Sequence, residues 1–393
     1  MKRYMKLLPA ILLIFTGCML WSGGVGRYRE VGMGYGGISL RFETNPLAID
    51  SLDEIRKQQQ AEGADSKLTA WRHDYNLEIE DSNLGVSIES DVIYMWGDGK
   101  DMFGLCGISG CAMSRDKAYE LWGSRDVLGK DVYIDGISYK VTCVTDNIPG
   151  IIAVKKDDYE RGMSFVSLDM DPKAAGDESD VQIEKFILQN SHGADSSINY
   201  SDLVTMLGNF LVFPSMTVSA LMCGRILSGL YCAGKYKKGC IVIACYAFFL
   251  IFWICICLFF GSFYFEIPGN FIPAKWSDFD FWTRLIEKYK NDLNGLRLMR
   301  TYTFDNYFRK SFVYISACVL LSSACFTAAL GRVRNKTLNG LMAVEIVSAF
   351  IMFYAAAASG AQYGRYGSSY WLILPVYFIF DCFINNFNMR ERT

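Results

Sequence analysis

Residues that could carry proton or metal chemistry are few in this chain and widely spaced. Its 393 residues include two histidines, His73 and His192, and neither has a second ligand type near it at metal spacing. A zinc site needs three or four His, Cys or carboxylate ligands at one point, and a His-driven triad needs a nucleophile and an orienting acid. Neither chemistry is expected here. No GxxxxGK(S/T) sequence occurs, so the chain cannot itself be a P-loop ATPase. The cluster Gly32-Met33-Gly34-Tyr35-Gly36-Gly37 superficially suggests a phosphate loop, but no strand precedes it and no Lys or helix start follows. Its composition reads as a flexible tether.

Ten of the thirteen cysteines lie in or beside apolar runs, among them Cys240, Cys245, Cys255 and Cys257, where Cys behaves as a small hydrophobe. Cys106, Cys111 and Cys143 lie elsewhere, and Cys106 with Cys111 could close a small loop where the compartment oxidises thiols. Glu345 and Asp381 interrupt apolar runs. A charge there is costly, which makes the two acids candidates for an ion path. Their positions towards helix ends equally allow snorkelling, or a partner such as Arg332 or Arg334. Nothing pairs two acids, or a nucleophile with a base, as an intramembrane enzyme requires. No catalytic residue, metal or cofactor is expected.

The apolar runs define the class. Cys240 to Phe265 has no charge over 26 residues, enough to span a bilayer core of about 30 Å. Leu203–Gly224, Ser311–Gly331, Leu341–Ser359 and Ser368–Ile384 are weaker runs of the same kind. At the N-terminus Lys2, Arg3 and Lys6 precede Leu7–Trp21, which reads as an uncleaved helix, a cleaved signal, or a lipoprotein signal around Phe15-Thr16-Gly17-Cys18. All three place the next segment outside. With about six helices and both termini inside, the inner segments hold Lys2, Arg3, Lys6; Arg225, Lys235, Lys237, Lys238; Arg332, Arg334, Lys336; and Arg390, Arg392, against Glu391 alone. That asymmetry is the positive-inside pattern.

Ser22–Asp202 holds 32 acids and 18 Lys plus Arg, a net charge of −14. Such a segment should be soluble and is a poor partner for nucleic acid. The expected organisation is a helix or signal anchor over 1–21, an α+β extracytoplasmic domain over 22–202, and an α-helical multi-pass membrane domain over 203–393. The last would carry an outer loop over 266–310. The expected location is the cell (plasma) membrane.

Within the outer domain Gly37–Glu43, Leu77–Glu80, Val86–Trp96 and Ile151–Lys155 read as strands. Ser51-Leu52-Asp53-Glu54 reads as a capping box opening a helix towards Gln59, and Asp171–Asp180 as a polar loop. Ser114 can cap a helix whose Ala118, Leu121 and Trp122 share one face and whose end is marked by Gly123. Asp135-Gly136 then makes a two-residue hairpin turn. It sets Ile134 opposite Ile137, Val132 opposite Tyr139, and Asp131 opposite Lys140 as a cross-strand ion pair. In the outer loop Phe281, Leu285 and Tyr289 recur every four residues behind Ser277, as in an amphipathic interfacial helix anchored by Trp276 and Trp282; a partner-binding helix is the alternative. Pro214 and Pro375 are candidate kinks, and Ser322, Ser323 and Ala324 offer a small surface for helix packing.

The order of a Ser-capped helix ending in Trp122-Gly123, then Asp126-Val127-Leu128-Gly129-Lys130, a strand, Asp135-Gly136 and Tyr139-Lys140-Val141 resembles the core extracytoplasmic domain of the MacB and FtsX family of permeases. The likeness is closest over Ser114–Val144 and extends more weakly from Gly37 to Asn190, with Cys143 where members often carry Gly. The resemblance implies a membrane permease subunit or mechanotransmitter whose ATP hydrolysis is supplied by a separate ABC ATPase. It further implies an outer protein or peptide partner and a homo- or hetero-oligomer. The family's cytoplasmic coupling segment, with an Arg-x-x-Glu-Ile-Gly-like core, would fall on Arg225–Lys238 here. That stretch has Arg225, Lys235, Lys237 and Lys238 but no acid. The alternative is a non-transporting sensor or accessory protein with the same outer domain.

Overall fold

A computed structural model describes residues 8–61, 68–81, 85–97, 105, 108–145, 148, 150–155, 163–170, 194–235, 240–261, 280–298, 302–333, 338–358 and 373–390. The chain divides into two compact units. One comprises Met1–Tyr28, Thr205–Ile267 and Ser311–Thr393; the other comprises Arg29–Val204 and Pro268–Lys310.

The second unit is β-rich. Its sheet is built from β1 (Ile38–Arg41), β3 (Leu68–Asp81), β4 (Val86–Gly97), β5 (Cys111–Ser114), β6 (Asp131–Ile134), β7 (Ile137–Thr145), β8 (Ile151–Lys155), β10 (Ser167–Met170) and β11 (Ser196–Asn199). The strand order is β11-β1-β10-β3-β4-β8-β5-β7-β6, and a further pairing of β6 with β3 closes the last six strands into a ring. Strand β3 is long enough to serve two structures. Its first half pairs β10 and its second half pairs β6, with the register against β4 shifting between Asp74 and Leu77, where Asn76 takes φ 51°. A bulge of this kind bends a strand and sharpens its twist. Ile79, Val92, Met113, Val132, Val141, Ile152 and Val154 fill the ring, and Ala118 and Leu121 belong to the same core. A second core, with Leu40, Phe42, Leu52, Ala70, Trp96 and Leu168, lies against the β1-β10-β3 end. The short pair β2 (Leu47–Ala48) and β9 (Ser164–Phe165) lies beside it.

Local signals over Ser114–Val144 act as read. The Ser114 hydroxyl accepts from the Lys117 N–H at 3.3 Å, and helix α3 (Arg115–Trp122) ends at Gly123 with φ 65°. Asp135 and Gly136 both have positive φ, as a type I′ turn requires, and the hairpin register matches the expected pairs. Asp131 and Lys140 oppose each other in register without forming an ion pair. Both are exposed, where hydration competes with a weak attraction.

Other readings are corrected. Helix α2 runs Ile49–Ala61, so Ser51 lies inside its first turn and is not its cap. The supposed tether is helical to Gly34, since α1 spans Leu8–Gly34, and Tyr35 is 1% exposed. Its ring stacks on Phe304 at 3.9 Å and packs against Phe308 and Tyr200, which anchors a glycine-rich stretch that composition alone leaves loose. In the 266–310 segment, α7 spans Asp280–Leu298, with Leu285 buried and Trp282 exposed, and packs on β11. Ser277 and Trp276, like Asp171–Asp180, lie outside the described residues.

The other unit is helical. It draws on α1, α4 (Tyr200–Phe210), α5 (Phe213–Lys235), α6 (Cys240–Gly261), α8 (Thr303–Arg332), α9 (Leu338–Ala358) and α10 (Ile373–Arg390). Among the described residues five stretches are long and apolar enough to cross a membrane: Leu8–Gly34, Tyr200–Lys235, Cys240–Cys257, Thr303–Arg332 and Leu338–Ala358; Ile373–Phe387 is a shorter apolar helix. Pro214 and Pro375 each sit in the first turn of a helix, α5 and α10; Pro214 lies just past the break at 211–212 that interrupts the stretch Tyr200–Lys235, whereas Pro375 lies at the start of its apolar helix. Ser322 donates to the Gly17 carbonyl at 2.8 Å, and a Cβ on Gly17 would meet the Phe326 ring at 2.8 Å, so α1 and α8 touch through small residues.

Gly229 does the same for α5 and α6. A Cβ there would lie 2.4 Å from the buried Tyr246 ring, whereas one on Gly234 of the same helix meets nothing within 4 Å. Gly229→Ala should lower the apparent melting midpoint of the detergent-solubilised chain, by overpacking worth about 1–3 kcal/mol. Gly234→Ala should not. Equal midpoints for the two variants would refute this tight contact.

Candidate functional site

One face of the β1-β10-β3-β4 region is polar and yet buried. Alternation places Leu40, Leu168 and Ala70 on the apolar core and puts Arg41, Ser39, Ser167, Asp169, Trp71 and His73 on the opposite face. Arg41 and Asp305 have fully buried side chains, with Arg41 Nη2 donating to Asp305 Oδ1 at 2.7 Å. The Tyr200 hydroxyl donates to the same carboxylate oxygen, and the Tyr302 N–H donates to Oδ2 at 3.3 Å. The guanidinium lies 4.5 Å over the Trp71 ring, and its Nε and Nη1 have no hydrogen-bond acceptor among the described residues. Aromatic faces partly stand in for those acceptors.

Asp169 completes the acid side. Trp71 Nε1 donates to its Oδ2, and Ser167, which shares a hydrogen bond with Ser39 at 2.9 Å, donates to Oδ1 at 3.0 Å. Burial pushes the Asp169 carboxyl up to about 6, against the pull of the Arg41 charge. Burial likewise disfavours the Arg41 cation, but Asp305, then Tyr200 and Asp169, outweigh it and hold the guanidinium above its ordinary value. Arg41 is therefore a permanent charge. The charged groups of this arrangement are buried and paired with one another, in a knot that fixes elements to one another.

The elements it fixes are informative. Tyr35 directly follows α1 and donates to the Phe304 carbonyl at 2.6 Å. Tyr200 is the first residue of α4, and Asp305 lies in the first turn of α8. Three helix ends and a central stretch of sheet thus meet in one buried cluster within the β-rich unit. Next to it His73, 6% exposed, stacks against Tyr75 at 4.4 Å and Tyr302 at 5.5 Å. Its Nε2 is 3.4 Å from Asp91 Oδ2, which also accepts from the Thr303 hydroxyl at 2.5 Å.

None of these residues stood out in the sequence, and the sites that did are dispersed. Arg225 is not in a loop: it lies within α5 and pairs with Asp381 of α10, and its Nη2 donates to the Leu330 carbonyl at 2.6 Å. Tyr377 offers its ring 5.4 Å from the guanidinium. The partner of Asp381 is therefore Arg225 and not Arg332, which donates to the Ala328 carbonyl at 2.9 Å, while Arg334 lies outside the described residues. Lys235 ends α5 and is exposed; Lys237 and Lys238 lie outside the described residues. Glu345 in α9 is half-buried, with Oε1 lacking a hydrogen-bond donor among the described residues. Cys111 is buried in β5, and Cys106, its proposed disulfide partner, lies outside the described residues. No cluster of three metal-ligating side chains occurs among the described residues.

No protein-family model matches the chain, and no curated protein matches it significantly. Among solved structures it is similar to the periplasmic region of MacB from Actinobacillus actinomycetemcomitans, at 13% identity and a TM-score of 0.31, over 45% of this chain and 95% of that one. A likeness of that degree carries no argument about what this chain does.

Proposed function

We propose that the chain is a permease-like subunit of an ABC-type transport or mechanotransmission system, with an extracytoplasmic domain and neither an ATPase nor a catalytic residue of its own. The observation that carries this reading is the Arg41–Asp305–Tyr200 knot. Through it the sheet holds the end of α1 and the starts of α4 and α8, helices that belong to span-capable stretches. The segments that lead into those stretches are thus part of the β-rich unit's own packing, as a transmitter requires, and are not loose tethers. In this reading Ile373–Phe387 is a sixth span and both termini are cytoplasmic. The protein sits in the plasma membrane as an oligomer, with a separate ATPase inside and a protein or peptide partner outside.

A second reading has its own support. Arg225, which would belong to an ATPase-coupling loop, is spent on Asp381. That favours a sensor or accessory protein on which no ATPase docks. Affinity purification of the tagged chain from its native membrane, followed by mass spectrometry, separates the two. The permease reading expects a stoichiometric P-loop ATPase that is lost when Lys235–Lys238 is replaced. Recovery of partners without any ATPase would leave the sensor.

A further inference from the structure

His73 is the one imidazole among the described residues, and its surroundings are unusual for a core histidine. Its side chain is fully buried, yet neither ring nitrogen has a hydrogen-bond partner among the described residues. A buried imidazole normally donates from one nitrogen and accepts at the other. Here the ring is held instead by stacking on Tyr75 and Tyr302. The nearest acceptor is Asp91 Oδ2 at 3.4 Å, too long for a good hydrogen bond and close enough for an ion pair once the ring is charged.

Asp91 is also the residue that ties this spot to a helix. Oδ2 accepts from the Thr303 hydroxyl at 2.5 Å, and Oδ1 accepts from the Asn76 N–H at 3.2 Å, at the bulge of β3. Thr303 is the first residue of α8, and Tyr302 beside it stacks on the His73 ring. One carboxylate oxygen therefore faces both a proton-accepting ring and the first hydroxyl of a long helix. The charged and titratable groups around the ring are Arg72, Asp74 and Tyr75 on β3, Asp91 on β4, Tyr302 and Asp305 at the start of α8, and Arg41 on β1 behind Tyr302. Arg72 is engaged by Asp74 at 2.7 Å, and Arg41 by Asp305.

We propose that His73 is a proton-binding site, and that its protonation draws Asp91 from Thr303 and loosens the first turn of α8. The donor and acceptor change hands without any other reactant. A solvent proton adds to the imidazole, the new cation pairs with Oδ2, and the Thr303 hydroxyl loses part of a charge-assisted bond. The pH sense follows from the environment. Burial lowers the proton affinity of His73 below its ordinary value of 6.5, and Asp91, Asp305 and Asp74 oppose that only in part. The ring is therefore neutral at neutral pH. The stability tied to its neutral form is lost as pH falls from about 6.5 through the depressed folded value.

The chain has two histidines, so His192→Gln leaves one reporter. The test is the imidazole carbon resonance of His73 in the full His192→Gln chain in detergent. It is recorded alongside amide hydrogen exchange over residues 303–308, corrected for the intrinsic pH dependence of exchange. The expected result is a single titration below pH 6.5, with exchange over 303–308 rising several-fold at the same midpoint and no rise in His73→Gln. A second variant, Asp91→Asn, should fold, since it keeps the shape of the carboxylate, and should shift the His73 midpoint to lower pH. A ring that stays neutral to pH 4 overturns the proposal. So does a titration without a change in exchange, or a midpoint that Asp91→Asn leaves in place.

Discussion

Asp305→Asn should be among the most damaging conservative substitutions in the β-rich unit, lowering stability by about 3–5 kcal/mol, because it removes the charge but little of the shape opposite a fully buried guanidinium. Arg41 is fully buried, and its Nε and Nη1 already lack acceptors among the described residues. Replacing both partners together, as Arg41→Met with Asp305→Leu, should recover part of the loss, since it removes the unpaired buried cation while leaving the Tyr200 hydroxyl and the Tyr302 N–H without their acceptor. The measurement is the apparent melting midpoint by circular dichroism in detergent. If Asp305→Asn melts with the parent chain, or if the double variant is no better than the single one, the ion pair does not hold this junction.

The second large effect is expected at Arg225 and Asp381. Asp381 is 1% exposed and its partner side chain 24%. Unpairing either charge inside an apolar helical unit should cost about 3–5 kcal/mol. The discriminating outcome is the comparison of the two single variants. If Arg225 is an internal counter-ion, Arg225→Met and Asp381→Asn should destabilise alike, and the exchanged pair Arg225→Asp with Asp381→Arg should restore part of the loss. If Arg225 instead docks a partner inside the cell, Arg225→Met should abolish recovery of that partner while the melting midpoint stays put. Asp381→Asn would then do nothing to binding.

What could be read in advance divides along sequence separation. The Ser114 cap, the Gly123 stop and the Asp135-Gly136 turn were legible because each is decided within a few residues, by a side-chain oxygen, a missing Cβ or a positive φ. The knot was not legible, since Arg41 and Asp305 are 264 residues apart and each has an ordinary local excuse. Asp305 looks like any acid in the first turn of a helix, and Arg41 like the polar end of a strand. The one available hint was that Arg41 sits between Leu40 and Phe42, in a strand whose four residues are all buried. Gly32–Gly37 misled because composition reports the freedom of an isolated chain, and Tyr35 removes that freedom through contacts with Phe304 and Phe308. Arg225 misled because a charge at the end of an apolar run reads as a boundary, while α5 continues past it to Lys235.

The β6–β3 pairing that closes the ring also bears on how this domain can meet other proteins. A sheet with a bare flank invites a foreign segment to bond along it, backbone to backbone, with little regard for its side chains. At one end of the strand order β6 is already occupied by Ile79 and Glu80 of β3, and at the other α7 lies against β11. Adventitious polymerisation by strand addition is thereby discouraged. Among the described residues this leaves side-chain shape and charge as the means by which the β-rich unit would be recognised, in a segment whose sequence is strongly acidic.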